Sequence, residues 1–317
     1  MRPSSRLLPT LLGLVVLVSL LAQVPVGAAQ SAGASAAGSS SRVAKEDEPD
    51  VPSLPPSCFG PAQEEGDPRP CPLNKQRPGR PTLVLWGDSH AHQWIPALRR
   101  IGRDRRVNMV SFVAGACPPI AVRFSKRGGY AGKCGKSNAI ALKYVRDLHQ
   151  DGKEVTVLLG SNWSGYRIAY RRIVHQGRGN DYLPFVRKMV KLSHAGTPRL
   201  FRRLARIGVR TAIIAQSATV PDNAPACAEG QDPYLCPVDR SLALPQEAQE
   251  DRWLAGQIEP LQGRSRIVDP RSAYCDSDAC FGLVNGIETW SDELHLSATR
   301  TRSLAGYFEL VFSDFRS

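Results

Sequence analysis

The feature that most constrains the fold is the alternation of short apolar runs with segments of helical spacing between residues 82 and 268. The runs are rich in branched residues and predict buried strands at 82–86, 107–113, 155–159, 211–215 and 266–268. The segments predict helices at 91–101, 137–149, 182–194, 198–207 and 246–258, the fourth capped by Thr197, with a last helix capped by Ser297. Strand and helix in alternation predict an α/β fold with a central parallel sheet covered on both faces.

The first 29 residues predict a secretory signal peptide. Arg2 and Arg6 precede an apolar stretch at 7–21, and small residues at 27–29 offer a cleavage site. The apolar stretch is short for a membrane span, so an uncleaved anchor is the less favoured alternative. No later segment is long and apolar enough to span a membrane. We therefore expect a secreted or extracytoplasmic protein with no transmembrane helix after signal removal.

A change of composition marks the expected start of the folded domain. Residues 30–56 are rich in Ser, Ala, Gly and Pro, lack apolar periodicity and predict a disordered linker. The domain is therefore expected over residues 57–317.

The chain contains eight cysteines, and its predicted export favours disulfides over metal ligands. They occur as near neighbours, so sequential pairing is the simplest of many possible connectivities. This pairing joins Cys58–Cys71, Cys117–Cys134, Cys227–Cys236 and Cys275–Cys280. No CxxC is present, which argues against a zinc knuckle and a thioredoxin-like site.

The formal net charge is +12, and removal of Arg2 and Arg6 with the signal peptide lowers it to +10. A basic chain invites a nucleic-acid interpretation. Predicted export and the absence of a binding motif favour instead a solvated surface attracted to anionic wall polymers or lipid headgroups. We therefore expect no nucleic-acid partner.

The tetrapeptide Gly87-Asp88-Ser89-His90 follows the first predicted strand and opens a helix. Gly87 permits a tight turn, and Ser89 then lies at a helix N-terminus, where backbone N–H groups favour a developing negative charge. A nucleophilic serine needs such donors and a nearby base. The alternative is an ordinary N-cap, the common reason for a polar residue after a strand.

A second polar group near the end of the chain favours the nucleophile interpretation. Asp292 and His295 are three residues apart in a predicted loop before the last helix. The carboxylate can hold one tautomer of the imidazole, whose other nitrogen then accepts the proton of Ser89. These residues predict a catalytic triad in the chain order Ser, Asp, His. A surface or capping histidine is the alternative.

Gly87-Asp88-Ser89 and Asp292-x-x-His295 resemble the first and last motifs of SGNH (GDSL-like) hydrolases. With Cys117-Pro118-Pro119, they are similar to the extracytoplasmic SGNH domain fused to the membrane acyltransferase-3 domain of cell-surface O-acylation proteins. The resemblance covers residues 57–317. It implies a three-layer, flavodoxin-like SGNH fold and acyl-ester chemistry on carbohydrates.

The resemblance also implies an oxyanion hole formed by the N–H of Ser89, a glycine after the second strand and an asparagine after the third. The matching positions are Gly115 and Asn162. The sequence departs from the family pattern at Trp163, where the family has aspartate, and around Gly115.

The remaining polar and aromatic residues near the predicted site are assigned to substrate binding. Asp88, His90 and Trp163 are the candidates, and the rings of Trp163 and Tyr166 can stack on a sugar or simply cover the sheet edge. His90 and His92 form a His-x-His pair, but zinc needs further ligands, which no other cluster supplies. We expect no metal and no cofactor.

The sequence thus predicts an exported serine esterase or O-acyltransferase acting on acyl, chiefly acetyl, esters of cell-surface or extracellular glycans. The alternative is a non-catalytic glycan-binding or assembly domain with the same fold. In either case a membrane acyltransferase is an expected partner, because similar domains are fused to one.

Overall fold

A computed structural model describes residues 50–55, 57–58, 68–103, 105–122, 129–176, 184–221, 232–261 and 263–313. The described strands are β1 (Cys71–Pro72), β2 (Thr82–Gly87), β3 (Asn108–Val113), β4 (Val155–Gly160), β5 (Arg210–Ile214), β6 (Val238–Asp239), β7 (Ser265–Val268), β8 (Ala279–Cys280), β9 (Leu283–Val284) and β10 (Ile287–Glu288).

The described helices cover both faces of the main sheet and its carboxyl edge. They are α1 (Ser89–His92), α2 (Ile95–Gly102), α3 (Tyr130–Gln150), α4 (Trp163–Gln176), α5 (Pro184–Ile207), α6 (Arg240–Ala243), α7 (Glu247–Ile258), α8 (Ala298–Ser303) and α9 (Glu309–Ser313). Short 3₁₀ turns lie at Pro233–Leu235, Glu259–Leu261, Arg271–Ala273 and Ala305–Phe308.

The main sheet has the strand order β1-β3-β2-β4-β5-β7. β3, β2, β4, β5 and β7 are parallel, and β1 pairs antiparallel with β3 at the edge. Taken in chain order, the parallel strands therefore lie as 2-1-3-4-5, which is the flavodoxin-like arrangement. The predicted three-layer α/β fold is confirmed, and the short antiparallel edge strand β1 is an addition to it.

The chain reverses direction across the sheet between β2 and β4, and ligands of such sheets bind beyond the carboxyl ends of the strands at this point. β2 and β4 are in register, so Gly87 and Gly160 end the two strands side by side. The residues that follow them, including Ser89 and Asn162, are thereby brought to one place.

The core has two layers because successive residues of a strand point to opposite faces. Leu83 and Leu85 of β2 join a cluster that includes Trp94 and Leu98, next to and within α2. On the other face, Val84 and Trp86 join residues of α3, α5 and α7. The central strand is buried on both faces, as its uninterrupted apolar run predicts.

Two helix predictions are wrong. The helices predicted at 182–194 and 198–207 form the single helix α5, with Pro198 inside it, so Thr197 is not an N-cap. The Thr197 hydroxyl instead donates to the carbonyl of Pro119 at 3.2 Å. Helix α4, Trp163–Gln176, was not predicted.

The predicted start of the last helix, with Ser297 as its N-cap, is confirmed. The hydroxyl of Ser297 accepts a hydrogen bond from the N–H of Arg300 at 3.0 Å and caps α8. The predicted single helix is divided into α8, a 3₁₀ turn and α9, which keep Leu304, Phe308 and Val311 buried.

Contacts with the domain extend upstream of the predicted boundary at residue 57. The carbonyl of Asp50 accepts from the N–H of Ala298 at 2.7 Å, and its carboxylate accepts from the N–H of Thr299 at 2.8 Å. Asp50 thus caps α8 from outside the predicted domain. In the part of the chain that the structure describes, no helix is both long and apolar enough to cross a membrane.

Three of the predicted disulfides are present, namely Cys58–Cys71, Cys117–Cys134 and Cys275–Cys280. Cys236 is also disulfide-bonded. Its predicted partner, Cys227, lies outside the described residues.

Candidate active site

The turn between β2 and α1 places Ser89 at the carboxyl edge of the sheet. Ser89 is the first residue of α1, and Asp88 is its N-cap, accepting from the N–H of His90 at 2.8 Å. Ser89 is half-buried, whereas Asp88 and His90 on either side are buried. The turn therefore exposes one hydroxyl and encloses its neighbours.

The turn requires glycine at position 87. A Cβ on Gly87 would lie 1.7 Å from the carbonyl oxygen of Gly160 and 2.8 Å from the Cβ of Ala91. A Cβ on Gly160 would likewise lie 2.9 Å from the Cα of Ala91. Because neither strand end carries a side chain, α1 packs directly against both and holds Ser89 in place.

The carboxylate of Asp88 joins the two strand ends. One oxygen accepts from His90, and the other accepts from the hydroxyl of Ser161 at 2.6 Å and the N–H of Asn162 at 3.0 Å. Burial raises the pKa of Asp88, and these hydrogen bonds oppose the rise. Both oxygens are occupied by protein donors, which gives Asp88 a positioning role; substrate contact by Asp88 stays a sequence-based prediction.

The loop before α8 presents the predicted base. Asp292 Oδ1 accepts from the N–H groups of Leu294 and His295, both at 2.8 Å. Both Asp292 oxygens also lie 2.9 Å from His295 Nδ1. Burial raises the pKa of Asp292, but hydrogen bonds from the His295 ring and the two N–H groups outweigh it, so the pKa lies below its ordinary value.

The structure brings the two distant parts of the chain into contact. His295 Nε2 lies 2.7 Å from Ser89 Oγ, although 206 positions separate them in sequence. An ionised carboxylate can only accept, so Asp292 holds the proton of the ring on Nδ1. Nε2 is then the acceptor for the hydroxyl proton of Ser89. The three predicted triad residues thus form one continuous hydrogen-bonded chain.

Gln93 fixes the His295 loop to the nucleophile helix and was not predicted as a site residue. Its side-chain oxygen accepts from the N–H of Leu296 at 2.9 Å, and its amide donates to the hydroxyl of Ser217 at 2.8 Å. Gln93 is 1% exposed. The only signal for it in sequence is its position, four residues after Ser89 in a predicted helix.

The predicted oxyanion donor Asn162 caps α4. Its side-chain oxygen accepts from the N–H of Gly165 at 2.9 Å, which leaves the Nδ2 group as the donor end of the amide. Gly165 makes room for this amide, because a Cβ there would lie 2.6 Å from the Asn162 side chain. The amide is thereby held with its oxygen turned into the helix.

The predicted donor Gly115 lies in the loop after β3. The N–H of Ala114 donates to the carbonyl of Gly87 at 3.2 Å, which brings this loop beside the nucleophile turn. The loop is held by the disulfide Cys117–Cys134 and by the hydroxyl of Tyr130, which donates to the carbonyl of Gly115 at 2.8 Å. The structure therefore gathers the loops that carry Ser89, Gly115 and Asn162 at one edge.

Trp163 and Tyr166 lie inside the protein. Trp163 is 2% exposed, and its indole N–H donates to the carbonyl of Ile214 at 2.9 Å. The ring contacts Phe201 and Trp253 and so belongs to the core. The sugar-stacking prediction for Trp163 gains no support from this placement, which favours the alternative that these rings cover the sheet. Tyr166 is 8% exposed and hydrogen-bonds the carboxylate of Asp88.

His90 packs against the predicted base. Its ring centroid lies 5.2 Å from that of His295, and both of its buried ring nitrogens lack a hydrogen-bond partner among the described residues. Burial, then the charge of His295, lowers the pKa of His90 to about 3. Burial likewise lowers the pKa of His92 to about 4. Both imidazoles are therefore neutral at physiological pH.

Within the described ranges, no group of three or more His, Cys, Asp or Glu side chains is arranged to hold a metal ion. The described residues therefore offer His90 and His92 no third ligand for a metal ion.

The three-layer α/β fold carries a serine after its first parallel strand and an Asp-x-x-His loop before its last helices. These are the features of the SGNH class of domains. The family model described as "SGNH domain (fused to AT3 domains)" matches residues 57–309. The chain belongs to this family, and the resemblance noted from its motifs is confirmed.

Among solved structures, the chain is similar to the periplasmic domain of a lipopolysaccharide acetyltransferase of Salmonella ser. Paratyphi A. The two share 15% sequence identity with a TM-score of 0.48, over 75% of this chain and 85% of that one. No curated protein sequence matches the chain.

Proposed function

We propose that the protein is an exported SGNH enzyme that transfers or hydrolyses acyl esters of glycans through Ser89, His295 and Asp292. The observation that carries the proposal is the 2.7 Å contact of Ser89 Oγ with His295 Nε2, on a ring whose Nδ1 faces Asp292. This arrangement supplies a nucleophile, its base and the group that orients the base.

In the first half of the reaction, Ser89 Oγ attacks the carbonyl carbon of the ester while its proton moves to His295 Nε2. The carbonyl oxygen becomes an oxyanion, for which the N–H of Ser89, the N–H of Gly115 and the Nδ2 group of Asn162 are the proposed donors. When the intermediate collapses, the bond to the alcohol oxygen breaks, and His295 returns the proton to that oxygen. The alcohol leaves, and the acyl group remains on Ser89.

In the second half, water or a sugar hydroxyl attacks the acyl-enzyme. His295 takes the proton of the attacking oxygen and returns it to Ser89 Oγ as the second intermediate collapses. Water as acceptor gives an esterase, and a sugar hydroxyl gives a transferase. Asp292 stays ionised throughout and stabilises the imidazolium that forms twice in the cycle.

The resemblance of the motifs implies a glycan O-acyl ester, chiefly acetyl, as the substrate, and three observations support a reaction outside the cytoplasm. The family is described by its fusion to AT3 domains. For this chain, we propose that a separate membrane acyltransferase takes the place of the fused AT3 domain. The N-terminal sequence predicts export, and the described disulfides suit an oxidising compartment. A separate partner that carries the acyl group across the membrane would then supply this chain.

The proposal is tested by labelling the purified protein with a fluorophosphonate and by burst kinetics on an aryl acetate. We expect one adduct, on Ser89, and a loss of turnover of about 10⁴-fold or more in Ser89→Ala. Ser303→Ala is the control, because the hydroxyl of Ser303 only donates to the carbonyl of Arg300 within α8. Turnover in Ser89→Ala equal to wild type contradicts the proposal. Polysaccharide binding without any ester cleavage supports a non-catalytic domain instead.

A further inference from the structure

A large groove at the amino edge of the sheet gathers basic side chains from separate parts of the chain. It has a volume of about 760 Å³. The segment between β1 and β2 contributes Lys75, Arg77 and Arg80. Lys75 and Arg77 are exposed, and Arg80 is half-buried.

The other cations of the groove come from α2, the turn that follows it, and α8. Arg99, Arg100 and Arg103 lie on the last turns of α2 and at its C-cap, Arg105 precedes β3, and Arg302 belongs to α8. Arg100, Arg103, Arg105 and Arg302 are exposed. Helix α2 runs back from the carboxyl edge to the amino edge, which brings its last turns beside the starts of β2 and β3.

The segment that carries Arg77 is fixed to the start of β3. The N–H of Arg77 donates to the side-chain oxygen of Asn108 at 2.8 Å, and the Asn108 amide donates to the carbonyl of Arg77 at 2.9 Å. Asn74 makes a similar pair of contacts with β3, through the carbonyl of Val107 and the N–H of Met109. The basic side chains therefore project from an ordered backbone.

These cations are close together, and none of the eight groove cations takes part in an ion pair within the part of the chain that the structure describes. Arg100 and Arg302 are adjacent, since the Arg100 guanidinium donates to the carbonyl of Arg302 at 3.2 Å. Asp50 is the one acidic residue among the described residues that line the groove, and its carboxylate already caps α8. Such mutual repulsion is relieved by an anionic partner.

We propose that this basic groove docks the domain on an anionic phospholipid surface, with the candidate active site facing away from the bilayer. The exposed cations are spread over a broad, polar groove, so several of them can contact lipid phosphates at once. Each basic residue near such a surface strengthens binding about fivefold. Ser89 follows the carboxyl end of β2, whose six residues span about 20 Å from the groove edge. Docking in this orientation leaves the Ser89 hydroxyl open to a glycan.

The path of the chain favours a membrane over an acidic polymer. Residues 50–53 line the groove, and the Arg99 guanidinium donates to the carbonyl of Ser53 at 3.1 Å. Residues 50–53 thus lie within the basic groove, and the sequence upstream of them includes the apolar stretch at 7–21. As an uncleaved anchor, the alternative to a cleaved signal, that stretch would hold this part of the chain at the membrane.

The test measures binding of the purified full chain to phosphatidylcholine vesicles with and without phosphatidylglycerol. The apolar N-terminal stretch contributes to binding on both, so the difference between the two isolates the charge effect. We expect Arg77→Glu/Arg103→Glu/Arg105→Glu to weaken the phosphatidylglycerol-dependent binding roughly a hundredfold. Circular dichroism and thermal unfolding report whether the variant still folds.

The matched control is Arg202→Glu/Arg203→Glu/Arg206→Glu, which makes the same change of charge on exposed residues of α5. Retained binding in the control supports the proposal. Equal losses in both variants overturn it, because net charge alone then explains the effect. Binding to an acidic polysaccharide but not to phosphatidylglycerol vesicles also overturns it, in favour of a polymer. These outcomes do not depend on ester turnover and so are separate from the test of Ser89.

Discussion

The two halves of the candidate active site are held by different forces. The nucleophile turn at 87–90 is held by packing, because Gly87 and Gly160 leave no space around Ala91 and the neighbours of Ser89 are buried. The loop at 292–296 is half-exposed and is held by hydrogen bonds that its N–H groups donate to the side-chain oxygens of Asp292 and Gln93. Substitutions of Gly87 and of the buried neighbours of Ser89 should therefore affect folding, whereas substitutions in the loop should affect the position and tautomer of His295.

The largest expected effect in the loop comes from Asp292→Asn. Asparagine keeps the oxygen that accepts from Leu294 and His295, so the loop keeps its shape. Its NH₂ group would face the ring and turn Nδ1 into an acceptor, so Nε2 would carry the proton and could not accept from Ser89. We expect kcat on an aryl acetate to fall about 10³- to 10⁴-fold with little change in thermal stability.

Asp276→Asn is a matched control for this change. Asp276 Oδ1 accepts from the N–H groups two and three residues ahead, at 2.8 and 2.9 Å, as Asp292 does, but Asp276 is not hydrogen-bonded to a histidine. Equal kcat values for Asp292→Asn and Asp276→Asn would contradict the role of Asp292.

We expect the next largest effect from displacing the side chain of Asn162, the proposed oxyanion donor. In Gly165→Ala, the new Cβ would lie 2.6 Å from the Asn162 side chain and must displace it. We expect kcat to fall about 10²-fold with little change in KM, because an oxyanion donor acts mainly in the transition state. Asn162→Ala should give a similar loss.

Gly256→Ala is the control for this pair, because Gly256 lies in α7 with open space around its Cα. Alanine is the better helix former, so this change should leave kcat unaltered and stability equal or slightly higher. Wild-type kcat in both Gly165→Ala and Asn162→Ala would rule out the donor role.

A smaller effect is expected from Gln93→Leu, which removes the hydrogen bond that fixes the loop to the nucleophile helix and the one that ties Gln93 to Ser217. The N–H of Leu296 and the hydroxyl of Ser217 would lose their partner while buried, which costs about 1–3 kcal/mol of unfolding free energy each. Chemical denaturation measures this loss, and kcat should fall about tenfold as His295 moves from Ser89. An unchanged unfolding free energy would show that hydrogen bonds do not hold the loop.

The last prediction concerns the pH dependence of the unfolding free energy at His90. The pKa of His90 is about 3 in the folded protein, so the unfolded chain, with an ordinary pKa of 6.5, takes up the proton first. The free energy of unfolding should therefore decrease as the pH falls from 6.5 toward 3, by about 1.4 kcal/mol per pH unit for this group.

His90→Leu should remove this part of the slope in urea denaturation between pH 6.5 and 4. His149→Gln, on an exposed residue at the end of α3, is the control. Parallel pH profiles for wild type and His90→Leu would contradict the burial of a neutral imidazole at the nucleophile turn.

Local patterns were enough to predict much of the fold and the triad. The apolar runs predicted the five parallel strands, since burial of a strand on both faces leaves an uninterrupted apolar sequence. The helix boundaries were less predictable. Pro198 indicated a helix start, but tertiary packing accommodates it inside α5. Helix α4 was not predicted, although Trp163, Tyr166 and Tyr170 recur at helical spacing.

The α/β alternation and the family were readable from the sequence, because each depends on residue types at short spacing. For the cysteines, the sequence favoured sequential pairing among many connectivities, and the structure shows it for three pairs. Only the tertiary structure decided which distant groups meet. It placed Ser89 beside His295, recruited Gln93 to hold them, enclosed Trp163 in the core and gathered scattered arginines into one groove. Contacts of this kind depend on how strands and helices pack in three dimensions, and no local pattern of residues specifies them.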